Sequence, residues 1–190
     1  SHFLKSFSRM RTLCRQLDAQ VVTSGTETAL IMRLSGEAFD EARLAMECPE
    51  PRVALGVGLR GLATSAIDVS DGLLGDLGHI LRRSRVGASL VLDALPFSPL
   101  LMARTEAERL DCLLAGGDDY ELVFTAPPAH RAQVQAVGDA LGLRLSRIGL
   151  IEAEPGLRLW HGELDAWEGD APRVAVPNRW TSFDHFKGAA

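Results

Sequence analysis

The sequence has few of the features that mark secreted, zinc-binding or membrane proteins. Only three cysteines occur in 190 residues, Cys14, Cys48 and Cys112, without C-x-x-C spacing. This number and spacing predict neither a disulfide framework nor a zinc site. No run approaches the ~18 consecutive apolar residues that a membrane span needs, and residues 1–5 do not begin a long apolar signal segment. We therefore expect a cytoplasmic protein without a membrane partner.

Positive charge is also scarce. Lys and Arg number 20 against 25 for Asp and Glu, which gives a net charge of −5 at pH 7. The basic residues cluster only at Arg82, Arg83 and Arg85, where a predicted helix ends and their charge complements the helix dipole. A nucleic-acid partner is not expected from this distribution.

Two common phosphate-binding signatures are missing as well. The sequence has no G-x-x-x-x-G-K-[ST] loop and no protein-kinase signature set, so any phosphoryl transfer needs another scaffold. What is present is the composition of a globular protein, with 46% hydrophobic and 24% charged residues. This length and composition predict one good core, or one core with an additional fragment.

Hydrophobic periodicity predicts alternating strands and helices. Helices are expected over 3–17, 27–34, 39–46, 52–62 and 127–141, with a further helix opened by 70–72 and two short ones before Leu113. Strands are expected over 64–69, 88–92, 120–125 and 143–148, with a strand start at 20–22 and an edge strand at 157–160. This order predicts an α/β or α+β fold in which helices cover a mixed sheet.

The passage from the strand at 64–69 to the next helix carries the first candidate site. Asp68 and Asp71 flank Ser70 at this elbow, where both carboxylates can converge on one mouth of the sheet. Two close carboxylates repel each other unless a cation lies between them, and oxygen ligands of this kind suit Mg²⁺. Ser70 and the first N–H groups of the helix can face a phosphate. From these residues alone, a simple helix cap at Ser70 or Asp71 remains an equal alternative.

A second acidic cluster follows two glycines. Gly116 and Gly117 precede Asp118 and Asp119 at the start of the strand at 120–125. Taken alone, this segment is typical of a capped loop. The presence of both acidic clusters in one small domain favours a site for a cation and a phosphate.

Five segments together resemble the thiamine-monophosphate kinase family, in the same order and at similar separations. They are Ala66 to Leu73 (AIDVSDGL), Gly75 to Ile80 (GDLGHI), Leu95-Pro96-Phe97, Gly116 to Leu122 (GGDDYEL) and Phe183 to Phe186 (FDHF). Pro49-Glu50-Pro51-Arg52 is similar to a P-x-P-R element of the family. The family belongs to a larger group with aminoimidazole ribonucleotide synthetase and selenophosphate synthetase. The resemblance implies the C-terminal α/β domain of that group, a mixed sheet with helices on one face.

The resemblance also implies roles for individual residues. Asp68 and Asp71 would bind Mg²⁺, Ser70 would contact ATP, and Asp118 and Phe183 would contact the substrate. The reaction implied is direct transfer of the γ-phosphoryl group of ATP to thiamine monophosphate, without a protein nucleophile, in a homodimer. Asp118 replaces the usual Glu and is one methylene shorter, while Phe183 lacks the polar group that is often found at its position.

The same comparison predicts how the chain is divided. Residues 1–22 resemble a fragment of the family's N-terminal ATP- and Mg²⁺-binding domain, and residues 23–190 resemble the C-terminal domain. Val22 and Thr23 are therefore expected not to be consecutive in the gene product, and a second junction after Thr26 is an open alternative. The metal ligands and the ATP-contacting arginine of the N-terminal domain would then belong to sequence that is not included here.

Two other functions are kept as alternatives. One is another ATP-dependent enzyme of the same group, and the other is a non-catalytic nucleotide-binding domain. The aromatic C-terminal segment likewise has two interpretations. It is either a strap over apolar surface or, as the resemblance implies, a segment anchored by Trp180 and Phe186 that places Phe183 against the thiamine rings.

Overall fold

The computed structural model describes residues 17–22, 40, 43, 47–164, 174–176 and 180. Seven strands in these residues form one mixed sheet with the order β2-β4-β1-β5-β3-β6-β7. Neighbouring strands are antiparallel except β3 and β6, which are parallel. The strands are β1 (Leu17–Val22), β2 (Ser65–Val69), β3 (Gly87–Val91), β4 (Glu121–Ala126), β5 (Leu145–Glu152), β6 (Gly156–Trp160) and β7 (Val174–Ala175).

Five α-helices are described with complete bounds in the same residues. They are α1 (Val53–Gly58), α2 (Leu73–Ser84), α3 (Pro99–Met102), α4 (Glu106–Ala115) and α5 (Arg131–Leu141). Thr105 caps α4 in a capping box with Glu108, which fixes where this helix begins. None of the helices in the described residues has the length and apolar character needed to cross a bilayer.

Two apolar clusters lie on opposite faces of the sheet. Val123 belongs to the larger cluster with residues of α2 and α4, whereas the next residue, Phe124, belongs to the smaller cluster with residues of α1 and α5. Successive residues of a strand point to opposite faces, so these two pairs of helices cover different sides. The predicted α/β class with a mixed sheet is confirmed. The detail that the helices lie on one face is corrected, because α1 and α5 supply the second layer.

Most predicted strands are present with small changes in their bounds. β2, β3 and β4 lie within one residue of the predicted ends, while β5 extends to Glu152. β6 is not an edge strand, because β7 pairs with its outer side. α1 ends at Gly58, earlier than predicted, and Gly61 beyond it has a φ of +76° that does not continue a helix.

The N-terminal part of the chain is described only in places. β1 pairs with β4 on one side and β5 on the other, so residues 17–22 are part of the sheet. The helix predicted over 3–17 falls on residues outside the described part, apart from Leu17, which is in β1. The helix over 27–34 is also outside it, and of 39–46 only Asp40 and Arg43 are described, both helical. The division at Val22 stays a prediction about the gene product.

Candidate active site

The antiparallel pairing of β2 and β4 brings the two acidic segments together. Val69, the last residue of β2, is paired with Glu121, the first residue of β4. The elbow that follows β2 and the glycine turn that precedes β4 therefore lie at the same end of the sheet. We call these two segments, residues 68–72 and 116–121, the acidic mouth.

A glycine shapes the elbow. Gly72 has a φ of +105°, and a Cβ atom there would lie 3.0 Å from the backbone of Ala115. Gly72 occupies the N-cap position of α2 and has no side chain with which to cap it. The alternative of a helix cap at Ser70 or Asp71 is therefore not supported by the geometry.

Asp76 holds the elbow from inside the helix. This residue is 3% exposed, and its Oδ2 accepts hydrogen bonds from the backbone N–H groups of Ser70 and Asp71, each at 3.0 Å. Burial raises the pKa of Asp76 against the opposing effect of these two bonds, and the charges of Asp71 and Asp68 raise it further. Negative charge is thus concentrated around the elbow.

The glycine turn rests directly on the elbow. The backbone N–H of Asp118 donates to the carbonyl oxygen of Ser70, and that of Tyr120 donates to the carbonyl oxygen of Val69, both at 2.8 Å. A Cβ atom on Gly117 would lie only 2.8 Å from the Ser70 oxygen. Such a close approach requires glycine, so the two segments are fixed to each other by backbone contacts.

Two residues of this turn have unusual backbone angles. Asp118 has a φ of 65° and Tyr120 a φ of 52°, values that non-glycine residues adopt uncommonly. The Tyr120 hydroxyl donates to Oδ1 of Asp118 at 3.2 Å. This bond and the charge of Asp118 raise the pKa of Tyr120, and the charges of Asp68 and Asp71 contribute in the same direction. Carboxylates from both acidic segments therefore act on the same phenol.

A buried ion pair supports the start of β4. Nε and Nη2 of Arg52 donate to the two carboxylate oxygens of Glu121 at 2.8 and 2.7 Å. The side chains are 10% and 7% exposed. The hydrogen bond to Glu121 is the main cause that raises the pKa of Arg52 above its ordinary value, and Glu50 adds a second carboxylate at 2.9 Å. The pair ties the P-x-P-R segment to the acidic mouth.

The predicted site residues differ in how the structure places them. Asp68, Ser70, Asp71 and Asp118 all lie in the acidic mouth. Asp68 is exposed and has no hydrogen bond or ion pair within the described residues, so its carboxylate is open to a cation. The Ser70 hydroxyl has no hydrogen bond within them either. Phe183 lies outside the described residues.

The donor chemistry of the mouth fits Mg²⁺ rather than a softer metal, because its side-chain ligands are carboxylate oxygens. Within the described residues, however, no group of three or more His, Cys, Asp or Glu side chains is arranged to enclose a metal. The part of the mouth that the structure describes would therefore offer Mg²⁺ one or two carboxylates. Mg²⁺ commonly completes such a shell with water and phosphate oxygens.

Sequence reasoning assigned no role to Asp76, Arg52 or Glu121. A signal was present for Asp76, since a carboxylate stands among the apolar positions of an amphipathic helix. Glu121 gave a similar signal as a charge inside a β-prone run. Its partner Arg52 is 69 residues away in sequence, and a single sequence does not show which cation meets it.

Comparisons with known proteins agree with this architecture. Residues 21–162 match the family described as AIR synthase related protein, C-terminal domain. The thiamine-monophosphate kinase of Escherichia coli K12 is 41% identical over 140 residues, which is 73% of this chain and 40% of that protein. The crystal structure of thiamine-monophosphate kinase from Stenotrophomonas maltophilia K279a aligns with a TM-score of 0.71 and 39% identity, over 76% of this chain and 50% of that one.

A structure of AaThiL complexed with AMPPCP and TMP shares the fold, with a TM-score of 0.62 and 21% identity over 83% of this chain and 50% of that one. The chain thus spans about 40% of the length of the Escherichia coli enzyme. The matched family segment covers well over half of the chain and includes β2, α2, β4 and the whole acidic mouth. On this evidence, the chain belongs to the family of AIR synthase related proteins and carries its C-terminal domain.

Proposed function

We propose that this chain is part of a thiamine-monophosphate kinase, which transfers the γ-phosphoryl group of ATP to thiamine monophosphate. The observation that carries the proposal is the acidic mouth, where backbone contacts fix two carboxylate-bearing segments against each other. The enzymes with that name in Escherichia coli and Stenotrophomonas maltophilia, which are 41% and 39% identical, support the same activity.

The charges of the reactants explain what this mouth contributes. Both the attacking phosphate and the phosphoryl group of ATP are anionic, so their approach is opposed by electrostatic repulsion. Bound Mg²⁺ would neutralise part of this charge and hold the phosphates in line. Asp68 and Asp71 are the residues proposed to hold it, and the contacts from Asp76 keep the backbone of Asp71 in place.

The remaining roles are proposed for three residues. Ser70 would present its hydroxyl to a phosphate of ATP, since Asp76 fixes its backbone and leaves the hydroxyl uncommitted within the described residues. Asp118 would contact thiamine monophosphate from the exposed rim of the turn. Phe183 would stack on the thiamine rings. The anchor proposed for this segment has one described member, Trp180, which is buried and donates to Asp111.

The test is an assay of the full-length gene product. Purified protein is incubated with Mg²⁺, ATP and thiamine monophosphate, and the formation of thiamine diphosphate is measured by chromatography. We expect product that depends on all three components. A protein that binds ATP but forms no thiamine diphosphate would be a different enzyme of the group or a non-catalytic domain.

Two parts of this proposal concern the whole protein. A homodimer is expected, and light scattering on the purified gene product measures its mass in solution. The proposed division at Val22 implies an intact mass above 20.5 kDa, the mass of the 190 residues. A mass spectrum at 20.5 kDa would refute the division without affecting the assignment of the acidic mouth.

A further inference from the structure

A cavity of about 440 Å³ opens at the same end of the sheet as the acidic mouth. Leu92 follows β3 and Arg144 precedes β5, and these antiparallel neighbours bring both residues to the cavity. Three strand spacings separate it from the mouth, which is about 15 Å at ~4.8 Å per strand. Its volume lies in the usual range of roughly 300 to 1,000 Å³ for small-molecule sites. No residue of the acidic mouth lines it.

One side of the cavity is apolar. Leu92, Leu95 and Phe97 line it, and Met102 adds a flexible side chain that is 58% exposed. An exposed methionine side chain is flexible and can pack against ligands of different shape. This side can therefore receive the apolar body of a small molecule.

The other side carries two arginines. The guanidinium carbon of Arg109 lies 5.3 Å from the centre of the Phe97 ring. Its Nε atom is buried and has no hydrogen-bond partner within the described residues. Neither Arg109 nor Arg144 forms an ion pair in that part of the chain. Both side chains line the cavity, so an anion that enters it can form charge-assisted hydrogen bonds with their guanidinium groups.

Two carboxylates, those of Asp93 and Glu106, also line the cavity. Asp93 lines the cavity but accepts a hydrogen bond from the backbone N–H of Gly162 at 2.7 Å and lies 3.4 Å from Nδ1 of His161. Glu106, the first residue of α4, is exposed and has no partner within the described residues. The lining therefore carries two guanidinium groups without an ion pair in the described residues and two carboxylates, of which Asp93 already has polar partners.

We propose that this cavity is a binding site for a small aromatic molecule with one anionic group, a carboxylate or a phosphate. The anionic oxygens accept hydrogen bonds from Arg109 and Arg144, whose planar guanidinium groups match such anions. The ring of the ligand packs against Phe97 and the leucines. Glu106 weakens binding by repulsion. The site is separate from the proposed kinase chemistry and does not depend on it.

The test is a titration of the full chain followed by two-dimensional NMR, without added metal. Benzoate and phenyl phosphate are the probes, benzyl alcohol is the neutral analogue, and inorganic phosphate tests the anion alone. We expect benzoate or phenyl phosphate to shift the amide signals around Arg109 and Leu92 and to bind at least about ten times more tightly than benzyl alcohol. The stronger of the two probes identifies the anionic group.

Charge variants then locate the anion. Arg109→Gln and Arg144→Gln should each weaken binding about ten-fold, while Glu106→Gln should tighten it about three-fold. Arg60→Gln is the matched control, because Arg60 is exposed and does not line the cavity. If Arg109→Gln alters the fold, the affinity of the Arg144→Gln variant alone shows whether an arginine of the cavity binds the anionic group.

Three results would overturn the proposal. The first is the absence of any shift near the cavity at about 10 mM probe. The second is equal binding of benzyl alcohol, and the third is unchanged affinity in both arginine variants. None of these results affects the kinase proposal. The kinase assay measures thiamine diphosphate formation, which is proposed to depend on the acidic mouth at the other end of α4.

Discussion

The two ends of α4 border regions of opposite character. Its C-terminal end leads into the acidic mouth, where glycines allow backbone to contact backbone and the side chains are carboxylates. Its first turns border the cavity that Arg109 and Arg144 line, which is formed by side chains from separate elements. The proposed role of the mouth is to hold cations and phosphates in a fixed frame, whereas the proposed ligand of the cavity is a small aromatic anion. One helix of 10 residues, about 15 Å long, separates them.

The largest expected difference concerns two arginines, one from each region. Arg52→Gln leaves the carboxylate of Glu121 buried without its cation, and breaking such a pair costs about 3 kcal/mol of unfolding free energy. Arg109→Gln loses only a contact with Phe97 and should cost less than about 1 kcal/mol. Urea denaturation of both variants measures the two values. Equal losses of unfolding free energy in the two variants would show that Arg52 stabilises the acidic mouth no more than Arg109 stabilises the cavity.

The next prediction tests the backbone contact itself. Gly117→Ala places a Cβ atom 2.8 Å from the Ser70 carbonyl oxygen, and the displacement should cost about 2 kcal/mol, typical of overpacking. Gly56→Ala is the matched control in α1, where nothing lies within 4 Å of the added atom. It should stabilise the protein by about 0.5 to 1 kcal/mol. A Gly117→Ala variant as stable as the wild type would contradict the account of a locked mouth.

The smallest effect is expected at the exposed rim of the mouth. Tyr120→Phe removes the hydroxyl that donates to Asp118, and Tyr120 is 42% exposed. Since water replaces this bond, the unfolding free energy should change by about 0.5 kcal/mol or less. Thermal unfolding measures the change. A loss above about 1.5 kcal/mol would mean that the hydroxyl, and not the backbone, holds the turn.

The same contrast explains what the sequence could predict. The acidic mouth is encoded in two short segments, so the sequence alone points to Asp68, Ser70, Asp71 and Asp118 as candidate site residues. The strand-to-helix elbow followed from local periodicity. The sequence did not reveal that Gly117 meets the Ser70 oxygen, because that contact depends on the pairing of β2 with β4.

The cavity and the second layer of helices could not be found in this way. Arg109 and Arg144 are separated by a strand and a helix, and the pattern of neither segment marks a pocket. The placement of α1 and α5 on their own face depends on contacts such as Gly58 with Val137, which are distant in sequence. Local patterns therefore predicted most of the described strands and one candidate site, whereas the second layer of helices and the cavity depend on tertiary pairing.

The most direct test of the central claim is the rate of thiamine diphosphate formation by the Asp71→Asn variant of the full-length gene product. Asn caps a helix about as well as Asp, so the substitution should leave the melting temperature nearly unchanged. Loss of a metal-binding charge should reduce kcat by roughly 100-fold or more, the scale seen when one electrostatic group is removed from an active site. Asp139→Asn, an exposed change on α5, should keep full activity. Full activity in Asp71→Asn would contradict the assignment of the acidic mouth as the site of phosphoryl transfer.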